Sequence, residues 1–254
     1  MHPEDASAIA QMNSIPGFKT VSQRIIGEFS EKYAEIEFSG EGVSVTPHSM
    51  PRLYRLLVEA TNRLGISEIP KMSTDWAYHI SSFSVGEKNF RIVLQSGAVD
   101  LLTDDELLFL IGHELGHWIS GHKPYHMLTE ALFYPSFNTT EWQVLLTAIK
   151  FTLLNWYRIS DYTADRYGLL CCKDAKYALC AMIKMAGLPQ KEYDNINCLA
   201  FLKQAKDFEE QHSGTIDQLV KFMSITSATM PWMVKRASVL TNWYQNEGRI
   251  LLRG

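Results

Sequence analysis

Two histidines four residues apart, His113 and His117, bracket a carboxylate in the run His113-Glu114-Leu115-Gly116-His117. On a helix, positions i and i+4 share one face about a turn apart, so both imidazoles can grip one metal ion. Glu114 then stands beside the first of them, where its carboxylate can reach a water on that metal. The chemistry served by such a trio is hydrolysis, with a metal to acidify water and a carboxylate to take its proton. The plainer reading of the spacing is a solvated or core-satisfied histidine pair.

The motif needs a helix to position it, and the flanks supply one. Thr103-Asp104-Asp105-Glu106 reads as a capping box, with Thr103 as N-cap and Glu106 reaching back. Acidic residues in a first turn suit the helix dipole. Leu107, Leu108, Leu110 and Ile111 form an apolar body, and Gly121 is a stop. The expected helix is roughly 18 residues long. An unpartnered histidine within so apolar a segment would be costly.

A catalytic zinc normally has three protein ligands and one open position. The longer pattern H-E-x-x-H-x-x-G-x-x-H would need glycine at 120 and histidine at 123. The chain has Ser120 and Lys123 there, so that reading fails. His122 is rotated away on a continuous helix, and His126 lies beyond the breakers Gly121 and Pro124. Both read as polar surface or structural histidines. Further on, Asp161 and Asp165 stand four apart on one helix face, flanked by Leu153, Leu154, Leu169 and Leu170. Buried carboxylates need partners. One can ligate the metal while the other accepts the N–H of a ligating histidine. Salt bridges to Arg158 and Arg166 are the alternative.

The chain has 254 residues, 46% hydrophobic and 20% charged, which is ordinary for a soluble globular protein and fits one domain over residues 1–254. A net charge of -4 argues against nucleic acid or an anionic membrane as the main partner. The start, Met1-His2-Pro3-Glu4-Asp5, has no apolar signal-peptide core. No apolar run is long enough to span a bilayer, so no transmembrane segment is expected, and peripheral membrane contact and oligomeric state are left open. Cys171, Cys172, Cys180 and Cys198 lack C-x-x-C spacing and read as buried thiols of a reducing, cytoplasmic compartment.

Four stretches follow from patterning. Residues 1–65 read as helices, two of them broken at Pro16-Gly17 and a third carrying Leu53, Leu56, Leu57, Ala60 and Leu64 up to Gly65. A short strand falls at Val43-Ser44-Val45. Residues 66–100 read as a small, mostly antiparallel sheet, from the alternation of Trp76, Tyr78 and Ile80 and then of Phe90, Ile92 and Leu94 beyond a turn at Gly86. Residues 101–172 hold the two motif helices. Within them Glu141–Tyr157 carries an apolar face, read as a core or lid helix, and His126–Tyr134 is a candidate cleft-covering loop. Residues 173–254 read as helices at Ala175–Gly187, Cys198–His212, Ile216–Ser224 and Trp232–Asn246. The sum is a helix-dominated α+β domain with one small sheet before the H-E-x-x-H helix.

The run from Ile111 to His122, followed by Asp161-x-x-Ala164-Asp165-Arg166, resembles the HtpX/CAAX-prenyl-protease family of zinc metallopeptidases, and among them the small soluble minigluzincins. The approach from Ile92 to Asp100 is similar to the family's strand and loop before its H-E-x-x-H helix. The specific motifs cover about residues 90 to 170. The resemblance implies a zincin-like fold of the gluzincin type and one Zn²⁺ per chain, held by His113, His117 and Asp161. It also implies Glu114 as general base, Asp165 as support for a zinc histidine, and a peptide or protein substrate for a metalloendopeptidase. The strand around Arg91 to Gln95, or the hairpin before it, is expected to hold extended substrate by β-augmentation. Two positions depart from the family. Asp161 stands where relatives have glutamate, so its helix must come closer to the metal. Met230 precedes Pro231 where many relatives have a histidine, and a thioether cannot donate a hydrogen bond. Arg236 does match. The departures keep open a second class, a non-catalytic metal-binding pseudo-peptidase acting as a scaffold or partner-binding protein.

Overall fold

The computed structural model describes residues 1–14, 36, 40, 42–131, 140–211, 214 and 232–252. Among these, helix α1 (Pro3–Asn13) is followed by strand β1 (Val43–Ser44), helix α2 (Pro51–Arg63) and strands β2 (Lys71–Asp75), β3 (Ser82–Val85) and β4 (Arg91–Gln95). Then come helices α3 (Ser96–Leu101), α4 (Asp104–Ile119), α5 (Lys123–Ala131), α6 (Thr140–Cys172), α7 (Ala175–Met185), α8 (Cys198–Gln211) and α9 (Met233–Trp243). The expected break at Pro16-Gly17 and the expected helix at Ile216–Ser224 lie outside the described residues.

The sheet has the order β1-β2-β4-β3. The central pair is parallel, with Met72 opposite Ile92, and both outer pairs are antiparallel. Central β4 is buried from Arg91 through Leu94, as a strand covered on both faces must be. Its Ile92 and Leu94 meet Leu53, Leu56, Leu57 and Ala60 of α2 and Leu107, Leu110 and Ile111 of α4 in one core.

The alternation of Trp76, Tyr78 and Ile80 does not make a strand. β2 ends at Asp75, whose carboxylate accepts from the Trp76 N–H at 2.7 Å, and Trp76 and Tyr78 are 85% and 66% exposed. The true strand, Lys71-Met72-Ser73-Thr74-Asp75, has little apolar pattern and is held by pairing on both sides. Strand formation there follows tertiary context rather than local propensity. The candidate loop from His126 is also corrected: Lys123–Ala131 is helix, with Pro124 in its first turn, where a missing N–H costs nothing.

Helix α4 begins where its capping box places it. Thr103 Oγ1 accepts from the Glu106 N–H at 3.4 Å and the Glu106 carboxylate accepts from the Thr103 N–H at 2.8 Å. Lys184 of α7 donates to the same carboxylate at 2.7 Å, pinning the helix start to the core. The helix closes at Ser120, with Gly121 at φ +68°.

Glycine sets how α4 meets α6. A Cβ on Gly112 would fall 2.6 Å from the Cys171 side chain, and one on Gly116 would fall 2.8 Å from Tyr167 Cβ and 3.0 Å from Ala164 Cα. From the other side, a Cβ on Gly168 would fall 2.7 Å from the Phe109 carbonyl oxygen. The two helices therefore touch almost backbone to backbone. Gly116→Ala is expected to cost about 1–3 kcal/mol by overpacking. The measurement is urea denaturation, where an unchanged midpoint would refute the tight crossing.

Candidate metal centre

The close crossing puts one residue from each turn of α4 opposite one from each turn of α6. His113 and His117 project from α4, Asp161 and Asp165 from α6, and all four are buried. His113 Nε2 and His117 Nε2 are 3.1 Å apart, and Asp161 Oδ1 lies 3.9 Å and 3.4 Å from them. Arg158 and Arg166 were the alternative partners for the carboxylates. Arg166 instead donates to the Met1 carbonyl at 3.2 Å and covers the Trp243 ring.

The other ring nitrogens decide what the facing pair can do. His113 Nδ1 is 2.9 Å from Asp165 Oδ1, and a carboxylate only accepts, so His113 carries its proton at Nδ1. Arg236 Nη2 also lies 3.3 Å from that nitrogen, but a bare Nδ1 would set its lone pair against the nearer carboxylate. His117 Nδ1 faces His122 Nδ1 at 2.9 Å, and His122 Nε2 faces Asp5 Oδ2 at 2.9 Å. Asp5 can only accept, so His122 is protonated at Nε2 and accepts at Nδ1, and His117 donates from Nδ1. Both facing Nε2 atoms are then bare. Two lone pairs at 3.1 Å repel unless a cation lies between them. Tetrahedral zinc with bonds of about 2.0–2.1 Å holds two nitrogens about 3.3 Å apart, so the donor set fits the ion.

The electrostatics agree. Burial pushes the Asp161 carboxyl up to about 6, opposed foremost by the charge of Arg236 and reinforced by Asp165 and Glu114. Burial acts on Asp165 in the same direction, but Arg236 overcomes it and holds that carboxyl below the usual range. Arg236 reaches in from α9, donating from Nε to Asp165 Oδ2 at 2.9 Å and from Nη2 to Oδ1 at 2.5 Å. Burial foremost, with the positive charge of Lys123, keeps His117 well below its normal pKa and hence neutral.

Glu114 lies one residue along α4, 3% exposed. Strand β3 holds it: Ser82 Oγ donates to Oε1 at 2.8 Å and Ser84 Oγ to Oε2 at 2.5 Å. The motif did not point to these serines, although their i, i+2 spacing puts both on one strand face. His122 and His126, read from sequence as surface or structural, are both buried. His126 donates to Ser160 Oγ at 2.9 Å and stacks on Tyr157. His117, His122 and His126 also converge closely enough to hold an ion. The bonds between His117, His122 and Asp5 already use the nitrogens such an ion would need. Met230 lies outside the described residues. Asp5 carries no local sequence signal at all.

A small mixed sheet feeding a helix with paired histidines, crossed by a second helix that brings carboxylates, is the frame of a zincin-like metallopeptidase. The chain belongs to peptidase family M48, whose model matches residues 47–244. It is 27% identical over 246 residues to the plastoglobule-localized metallopeptidase 48, chloroplastic, of Arabidopsis thaliana, covering 95% of this chain and 71% of that protein. It shares the fold of S. mikatae Ste24p with a TM-score of 0.50 at 18% identity, covering 93% of this chain and 60% of that one. The chain therefore spans less than two thirds of that solved structure's length. No helix among the described residues is long and apolar enough to cross a membrane.

Removing Arg236 would leave the buried Asp165 carboxylate without its cation. Arg236→Met is expected to lower stability by about 3–5 kcal/mol. Chemical denaturation reads the loss, and a change below about 1 kcal/mol would show that Arg236 is not its counter-charge.

Proposed function

We propose that this protein is a zinc-dependent metalloendopeptidase. The observation that carries the reading is the pair of bare imidazole nitrogens 3.1 Å apart, facing the Asp161 carboxylate. His113, His117 and Asp161 would hold one zinc ion per chain. Bound there, zinc supplies a Lewis acid that polarises a peptide carbonyl and acidifies water toward a pKa of about 7.

The rest of the chemistry belongs to the chain. Glu114 takes the proton of the attacking water and passes it to the leaving amine. Ser82 and Ser84 aim its carboxylate and must yield a hydrogen bond when water arrives. Asp165, held by Arg236, keeps His113 oriented with its proton at Nδ1. Central β4 pairs on both sides, so it offers substrate no edge. Of the two sites expected for β-augmentation, only the hairpin strand β3 remains, because it is outermost in the sheet and carries the serines that hold the base. An extended peptide along β3 would run past Glu114.

The test is metal content by elemental mass spectrometry on untagged protein, paired with cleavage of unfolded casein. About one zinc per chain is expected, lost in Asp161→Ala. Glu114→Gln should keep the zinc and lose roughly 10²–10⁴-fold in cleavage rate. Cleavage that survives Glu114→Gln would refute the mechanism. Zinc binding without cleavage by the unaltered chain would favour the non-catalytic scaffold.

A further inference from the structure

Helix α1 lies outside the segment that the family model matches, yet it reaches the metal centre. Its Asp5 is fully buried, 0% exposed, and makes no ion pair with Lys or Arg among the described residues. Three donors surround its carboxylate. Trp156 Nε1 donates to Oδ1 at 2.9 Å, while Thr163 Oγ1 at 2.5 Å and His122 Nε2 at 2.9 Å donate to Oδ2. The backbone N–H of His2 donates to Thr163 Oγ1 at 2.8 Å, which turns the threonine's own proton toward Asp5.

From Asp5 the bonds run one way. His122, also 0% exposed, donates from Nε2 to Asp5 and accepts at Nδ1 from His117. We propose that Asp5 and His122 are positioning residues that hold His117 as its Nδ1–H tautomer, through the relay Asp5–His122–His117, and so present Nε2 bare to the metal. This rests on the reading of His117 as a metal ligand. His113 has its own partner in Asp165, on the second motif helix. His117 draws its partner from the chain's N-terminal helix, through an imidazole that transmits the acceptor demand of a carboxylate about one ring further out. Second partners of this kind fix ligand orientation and basicity.

Trp156 makes the relay testable, because an indole can only donate. In Asp5→Asn the side-chain amide turns its oxygen to Trp156 and its NH₂ to His122 and Thr163, because the threonine hydroxyl can rotate and accept whereas the indole cannot. His122 Nε2 must then accept, its Nδ1 must donate, and His117 must accept at Nδ1. That leaves a proton on His117 Nε2, where the metal should bind. Adding Trp156→Phe removes the fixed donor and lets the amide turn its oxygen back to His122.

The experiment uses the full chain with ¹⁵N-labelled histidine. Long-range ¹H–¹⁵N correlation spectra of the zinc-free protein read the tautomers, and competition with a chelator reads zinc affinity. In the unaltered chain the expected result is Nδ1–H for His117 and Nε2–H for His122. The reverse tautomers would overturn the relay, and no variant is needed to see them. Asp5→Asn should switch His117 to Nε2–H and weaken zinc about 10-fold or more, and Asp5→Asn with Trp156→Phe should recover both. A purely structural role predicts instead that the double variant is worse than the single one, with the His117 tautomer unchanged, and that outcome would overturn the proposal. If the unaltered chain binds no zinc, the metal-centre reading fails, while the tautomers still judge the relay.

Discussion

The near-contact of the α4 and α6 backbones is the constraint on which the site depends. Histidines and aspartates four apart on separate helices form one donor set only if the helix axes come close enough for short side chains to meet. Gly112 and Gly116 precede the two histidines by one residue each, and Gly168 follows Asp165 by three. Each glycine removes the methyl group that would hold the helices apart. The same closeness lets a side chain as short as aspartate reach across, bringing Asp161 Oδ1 to 3.4 Å from His117 Nε2.

How much of this was legible in the sequence depended on how local the cause was. The α4 cap was readable because Thr103 and Glu106 answer each other across three residues. The donor set was readable because i, i+4 spacing fixes a helix face before any fold is known. The sheet was read less well. Trp76, Tyr78 and Ile80 alternate with no layer to cover them, whereas Lys71–Asp75 lacks the pattern and pairs on both sides. Alternation reports burial, and a strand held mainly by its neighbours' hydrogen bonds does not need it. Least legible were the partners far away in sequence. Arg236 is 71 residues from Asp165, and Asp5 is 117 from His122. No periodicity encodes such pairs, and only the folded chain shows that a carboxylate in the first helix faces a histidine just past the motif.

Those distant partners divide the work of keeping two imidazoles correctly turned. His113 is oriented by a carboxylate whose charge is met by a guanidinium, and His117 by a second imidazole with a carboxylate behind it. Helix α9 is thereby tied to His113 and helix α1 to His117. The donor set and the residues that orient it come from four helices, α1, α4, α6 and α9, so its geometry is a property of the whole fold.

The charge inventory of the site gives the strongest physical reason for a divalent cation there. With the histidines neutral, the buried charges around the site are Asp5, Glu114, Asp161 and Asp165 against Lys123, Arg158 and Arg236, so negative charge is in excess. Burying unpaired charge is expensive, and a protein without a counter-ion responds by shifting pKa values. The strain collects on one residue. Arg236 meets Asp165 and two serine hydroxyls solvate Glu114, whereas Asp161 is pushed up to about 6, foremost by its own burial. It is also the carboxylate that points at the two bare nitrogens. A 2+ ion at that point would offset the excess negative charge, draw Asp161 into its ionised form and separate the facing lone pairs. The tautomers set by hydrogen bonding and the strain on Asp161 therefore point to the same place.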